Sequence, residues 1–188
     1  MARIFAVSTV LLLSLKTGYA QKVLNDYIIT KTCDTIAVKL KYNWLGNIVY
    51  ELPGSTKFTA VAEGKIKEFH WSKMEPQTFI AAVLPGDDKP TFVGLLERGQ
   101  INLYELISHR YRATIRYWYA NKENRPLVEI NNQLRLFGTD KQLVRHFTDL
   151  ISDKQQVYLA FKQQKKYNFK TIRKSIQQYN SLRWSSRP

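Results

Sequence analysis

His70, His109 and His146 are the only histidines of the chain, and Cys33 is its only cysteine. These are the side chains best suited to hold a metal or to act as acid, base or nucleophile near neutral pH. Their spacing argues against a shared centre. No two histidines stand three or four residues apart, and none has a cysteine or carboxylate at ligand spacing on one predicted element. His70, beside Trp71, reads as the end of a strand. His109 reads as part of a basic turn with Arg110, and His146 as a packing or surface residue on a helix. Asp87 and Asp88 are adjacent in a loop between Pro85 and Pro90, where carboxylates solvate a turn. Glycosidic chemistry needs a separated pair across a cleft. The chain has no G-x-S-x-G elbow, phosphate-binding loop or G-x-G-x-x-G fingerprint. No catalytic residue, metal ligand or cofactor is assigned from these residues. A hydrolase whose site is assembled only by the fold stays open as an alternative.

Charge is the stronger signal. The chain carries a formal net charge of +14, and its basic excess is concentrated at one end. The 35 residues from Lys154 to Pro188 hold nine basic side chains and no acidic one. Lys162, Lys165, Lys166, Lys170, Arg173 and Lys174 form the centre of this run and are the candidate anion-binding residues. On one unbroken helix Lys165 would fall in the apolar sector of Phe161 and Ile172. A break near Tyr167-Asn168 is therefore expected, with the lysines shared between two helices and a turn. Such a surface attracts acidic polysaccharide, anionic lipid headgroups or nucleic acid. The competing reading is a solvated face that keeps the protein soluble.

A second basic and aromatic run, from Arg112 to Lys122, offers a platform that could stack sugars or bases. On a strand, Ile115, Tyr117 and Tyr119 share one side, while Arg116 and Trp118 share the other. Aromatic residues also favour strands because they pack well there, and one side of the strand must bury.

The elements that would position these groups change type along the chain. Asp34 to Tyr42 alternates strictly, with Ile36, Val38, Leu40 and Tyr42 on one side, and reads as one half-buried strand. Other predicted strands are Tyr27–Lys31, Asn47–Leu52, Lys65–Trp71, Thr78–Leu84, Thr91–Glu97, Gln100–Ile107, Arg112–Ala120 and Leu127–Ile130. Short strands with turns such as Arg98-Gly99 favour an antiparallel meander, with Gly99 supplying a positive φ. From Thr139 the period becomes helical. Thr139 to Gln142 fits a capping box, Ser152 to Gln155 fits a second, and Asn168 caps a third helix bearing Phe169, Ile172, Ile176 and Tyr179. The expected fold class is α+β: an antiparallel meander of about eight strands, with room to curl toward a barrel, followed by two or three C-terminal helices. The expected organisation is 1–20 signal, 21–138 β region, 139–180 helices on the same domain and 181–188 tail.

The leading segment gives a compartment. Arg3 precedes a twelve-residue uncharged stretch, Ile4 to Leu15, and Gly18-Tyr19-Ala20 places small residues at the positions a signal peptidase requires. Twelve residues are too few for a span that needs about 20. This reads as a secretory signal cut after Ala20. With one cysteine, an exported domain gains no internal disulfide, and Cys33 reads as a small buried side chain near a strand or turn.

The segment Tyr27-Ile28-Ile29-Thr30-Lys31-Thr32-Cys33-Asp34-Thr35-Ile36 resembles the opening of a broad family of exported envelope proteins of Bacteroidota-type bacteria. Those begin with an extended G-Y-I-hydrophobic segment followed by G-D-T-I. The similarity continues through Phe92 to Tyr104 and touches Gln178-Tyr179-Asn180. Cys33 stands where that family commonly has glycine. The resemblance implies a periplasmic or outer-membrane-associated location and transfers no activity. Together these readings give the expectation of a non-catalytic binding or structural module, in peripheral contact with anionic polysaccharide or lipid headgroups. Nucleic acid is the weaker alternative, because export removes the protein from such targets.

Overall fold

A computed structural model describes residues 26–110, 113–123, 125–134, 141–164 and 166–182. The signal segment, Thr139 and its cap, Lys165 and the tail beyond Leu182 lie outside the described residues.

The fold is α+β, with eleven strands in two antiparallel sheets and three C-terminal helices among the described residues. The strands are β1 (Asp26–Thr30), β2 (Thr35–Ala37), β3 (Lys39–Tyr42), β4 (Ile48–Glu51), β5 (Phe58–Ala60), β6 (Ile66–Trp71), β7 (Thr78–Val83), β8 (Pro90–Glu97), β9 (Ile101–Arg110), β10 (Ala113–Lys122) and β11 (Val128–Asn132). The helices are α1 (Lys141–Ile151), α2 (Gln155–Lys162) and α3 (Phe169–Ser181). The large sheet has the order β11-β10-β9-β8-β7-β6-β1-β2, and β3-β4-β5 form the small one. From β6 to β11 each strand pairs with the next, which is the expected meander. The sheet does not close into a barrel: β11 and β2 are its two edges.

One predicted strand is two. The alternation from Asp34 to Tyr42 is interrupted at Val38, where the chain leaves the large sheet and enters the small one. Asp26 holds this corner. Its carbonyl oxygen accepts from the Val38 amide and its carboxylate from the Leu40 amide, at 3.2 and 3.5 Å. Alternation survives the corner because Ile36, Val38 and Leu40 all pack on the same cluster as Ile28 and Phe69.

Cys33 lies in the connection between β1 and β2. Its φ is 66°, a left-handed conformation that suits glycine and strains most other residues. Cys33 is exposed, not buried as expected. Thr30, Thr32 and Asp34 knit the turn, with the Asp34 amide donating to Thr30 Oγ1 at 3.1 Å and Thr32 Oγ1 to the Asp34 carboxylate. Cys33→Gly should raise stability by about 0.5–1 kcal/mol, because the relieved backbone strain exceeds the added unfolded-state entropy. A urea midpoint that falls on this substitution would overturn that account.

The register defines which side of the large sheet is covered. Ile28, Phe69, Phe79, Gly94, Glu105, Trp118 and Asn131 stand opposite one another in turn across seven strands, so they share one side. Both covering layers lie on it. At one end, Leu40 of β3 packs with Ile28, Ile66, Phe69 and Trp71. At the other, Phe147, Ile151, Val157, Phe161, Ile172, Ile176 and Tyr179 of the helices close over Ile101, Leu103, Trp118, Ala120 and Ile130. Each fully buried valine, leucine, isoleucine or phenylalanine among them contributes roughly 1.5–3 kcal/mol of burial. The opposite side carries Tyr27, His70, Val93, Tyr104, Tyr117 and Tyr119. Val93, Tyr104 and Tyr119 are buried among their neighbours and under Leu84 and Leu127 from flanking loops.

A side-chain clamp fixes α3 to the sheet. Asn180 accepts from the Ile101 amide at 3.0 Å and donates to its carbonyl oxygen at 2.8 Å, as a neighbouring strand would. This explains Gly99, which has no positive φ: a Cβ there would lie 2.4 Å from the Asn180 side chain.

Candidate anion-binding surface

The helices present the basic residues because their apolar stripes face the sheet. In α3, Ile172, Ile176 and Tyr179 are buried, and Phe169 stacks on Trp118 with ring centroids 4.6 Å apart. Asn168 caps the helix as expected: its carboxamide oxygen accepts from the Thr171 amide at 3.0 Å, and Thr171 Oγ1 accepts from the Asn168 amide at 3.2 Å. The stripe fixes Lys170 and Lys174 on the outer face, one turn apart, both exposed. The expected break is present, since α2 ends at Lys162 and α3 begins at Phe169. Lys162 is exposed on the last turn of α2, with Nζ 5.4 Å from the Tyr158 ring centroid. Lys166 is exposed in the connection. Lys165 lies outside the described residues.

Arg173 is directed elsewhere. Its Nε donates to Glu97 Oε1 at 2.6 Å, and Gln177 donates to the same oxygen at 2.7 Å. This pairing ties α3 to β8 and neutralises the guanidinium. Lys154 is likewise engaged by the fold, its ammonium donating to Gln100 Oε1 at 2.9 Å and the Tyr179 carbonyl oxygen at 2.7 Å. It lies 4.1 Å from the Tyr179 ring centroid. The expected Ser152 capping box is absent. Lys154 takes the cap position of α2 without a side-chain cap, and the neighbouring Asp153 bonds to Lys122 and Tyr179 at 2.6 and 2.7 Å. Burial alone would raise the Asp153 carboxyl. Hydrogen bonds from Lys122 and Tyr179 outweigh it and hold the group below its ordinary range. Burial raises the Tyr179 phenol, and Asp153 adds to the rise against the opposing Lys122 ammonium.

Lys162, Lys166, Lys170 and Lys174 thus remain as exposed ammonium groups with no ion-pair partner among the described residues. Sequence reasoning did not include Lys141 and Arg145, exposed on α1 of the same layer. Arg145 stands 3.9 Å from Asp149, in a weak surface pair.

The other chemical candidates have structural roles. His70 stacks on Tyr27 and bonds Thr78 Oγ1 at 3.1 Å. His109 Nδ1 lies 3.2 Å from Thr114 Oγ1, and His146 Nδ1 lies 3.0 Å from the Glu129 carbonyl oxygen. Asp87 and Asp88 are exposed in their loop. No group of three potential metal ligands occurs among the described residues. A cleft of about 380 Å³ beside His146, lined by Leu127, Glu129, Asn132 and Gln142, contains no serine, threonine, cysteine or lysine in its described lining. Arg116 and Trp118, as expected, share one side of β10. That side lies beneath α3, where Trp118 is buried, so it is not an open stacking platform. On the opposite side burial pushes the Tyr119 phenol up to about 12, assisted by Glu129, Tyr117 and Asp87, so it stays protonated. No helix among the described residues is long and apolar enough to cross a membrane.

The chain matches no family model, and no characterised protein or solved structure matches it.

Proposed function

We propose that this chain is an exported, non-catalytic binding module of the cell envelope. It engages a polyanionic surface, an acidic polysaccharide or a layer of lipid headgroups, through Lys162, Lys166, Lys170 and Lys174. One observation carries the reading. The fold consumes Lys154 and Arg173 in internal bonds, yet leaves these four lysines exposed and without an ion-pair partner among the described residues. Long-range attraction from such a cluster needs no pocket and no perturbed acid or base. The compartment rests on residues 1–20 and on the resemblance to exported envelope proteins.

Retention on immobilised heparin and on anionic vesicles, measured against salt, tests this. Replacing the four lysines with glutamine should reduce the slope of log affinity against log salt by about 3 on the polysaccharide, as each lost charge contact releases fewer counterions. A control changes four exposed lysines elsewhere, Lys57, Lys65, Lys73 and Lys89. Equal losses in the two variants, or none in the first, would refute a localised surface. Loss on heparin but not on vesicles would assign the polysaccharide, and the reverse the lipid.

A further inference from the structure

The connection between β3 and β4 carries the most exposed large apolar side chains of the described residues. Trp44 is 90% exposed and Leu45 61%. Their backbone is tightly built. Asn43 Oδ1 accepts from the amides of Leu45 and Asn47, at 3.0 and 2.9 Å, and the Asn43 amide donates to the Asn47 carbonyl oxygen at 2.9 Å. The Gly46 amide closes back on the Asn43 carbonyl at 3.0 Å, with Gly46 at φ 78°. At its base Tyr42 packs against Trp71, ring centroids 4.9 Å apart, so the hairpin is anchored in the core. A turn held this firmly presents two apolar side chains to solvent without collapsing over them.

We propose that this tip is a bilayer anchor: Trp44 and Leu45 enter the boundary between headgroups and acyl chains of an anionic phospholipid surface. Three features favour lipid over a protein partner. Trp is at home in that boundary, with an apolar ring and one polar N–H. Lys39 and Lys41 stand on β3 below the tip, Lys39 opposite Glu51 and Lys41 with its ammonium 3.3 Å from the Phe58 ring centroid, and no acidic residue occurs between Thr35 and Tyr50, so the net charge beside the tip suits an anionic leaflet. The two side chains offer on the order of 300 Å², well short of the roughly 800 Å² per partner of a stable protein interface. This inference is independent of the helical lysines, which attract at a distance and insert nothing.

The experiment uses the full chain with phospholipid vesicles containing brominated acyl chains, and compares it with Trp44→Phe. Of the other three tryptophans, Trp71 and Trp118 are buried and stay shielded, and Trp184 is replaced with Phe in both proteins compared. Quenching present in the parent and lost in Trp44→Phe places the ring in the lipid. A double variant, Trp44→Ser with Leu45→Ser, should lower partitioning into anionic vesicles at least tenfold while leaving heparin retention unchanged. Replacing the four helical lysines should leave Trp44 quenching in place at saturating lipid, which separates the two readings. Equal quenching in parent and Trp44→Phe would overturn the anchor. So would a parent that sediments as a dimer, dissociates in the double variant and shows no Trp44 quenching, since the tip would then bind a second copy.

Discussion

Phe147→Ala should lower stability by about 4 kcal/mol, the upper range for emptying a buried aromatic site. Phe147 is fully buried at the centre of the helical layer. Its ring meets Phe161 of α2 edge-on at 4.7 Å and Tyr167 of the α2–α3 connection at 6.4 Å. Tyr167 in turn donates to the carbonyl oxygens of Ile130 and Leu143, so the same cluster joins β11, α1 and the connection. Removing the ring leaves a cavity shared by three elements, none of which can move in without losing other contacts. A typical domain has 5–15 kcal/mol in total, so the helical layer should melt early. Urea unfolding followed by far-ultraviolet dichroism should show a lowered midpoint. A loss below about 1 kcal/mol would mean that the layer repacks freely, contrary to the close-packed account.

Glu105→Ala should cost about 3 kcal/mol and Glu105→Gln about 1 kcal/mol. Glu105 is buried on the covered side of β9. It accepts from Arg116 Nη1 with both oxygens, at 2.9 and 3.0 Å, and from Trp118 Nε1 at 3.1 Å. Trp118 is buried and stacked on Phe169, so removing the carboxylate takes away the one acceptor its N–H has among the described residues. Glutamine keeps an oxygen for the indole and gives up only the charge opposite Arg116, which is itself partly solvated. The difference between the two variants measures the indole bond. Equal costs for the two, by thermal or urea unfolding, would show that the indole bond contributes nothing and that the ion pair dominates.

The sheet was legible where neighbours in sequence are neighbours in space. Strands β6 to β11 were visible because each turn returns the chain to the strand just made, so local alternation and turn residues suffice. The corner at Val38 was not, because the side chains on either side keep their parity while the backbone changes sheets. Nor was β5: Phe58, Thr59 and Ala60 are all exposed and carry no burial pattern. In the candidate surface, the lysines and the helix break followed from periodicity. What periodicity could not supply was which charges the fold consumes. Arg173 is separated by 76 residues from Glu97 and Lys154 by 54 from Gln100. Similarly, Gly99 gave the right turn for the wrong reason, since the residue that requires its missing side chain is Asn180 in α3.

That Asn180 amide meets Ile101 across 79 positions of the chain. A ribosome adding about 5–20 residues per second takes roughly 4–16 seconds to bridge them. From the completion of β10 at Lys122 onward, the nascent hairpin of β9 and β10 holds Ile101, Leu103 and Trp118 without the helix that shields them. The polypeptide therefore makes this apolar surface before the helix that covers it. Its survival during synthesis depends on holding that surface apart from other chains until α3 emerges.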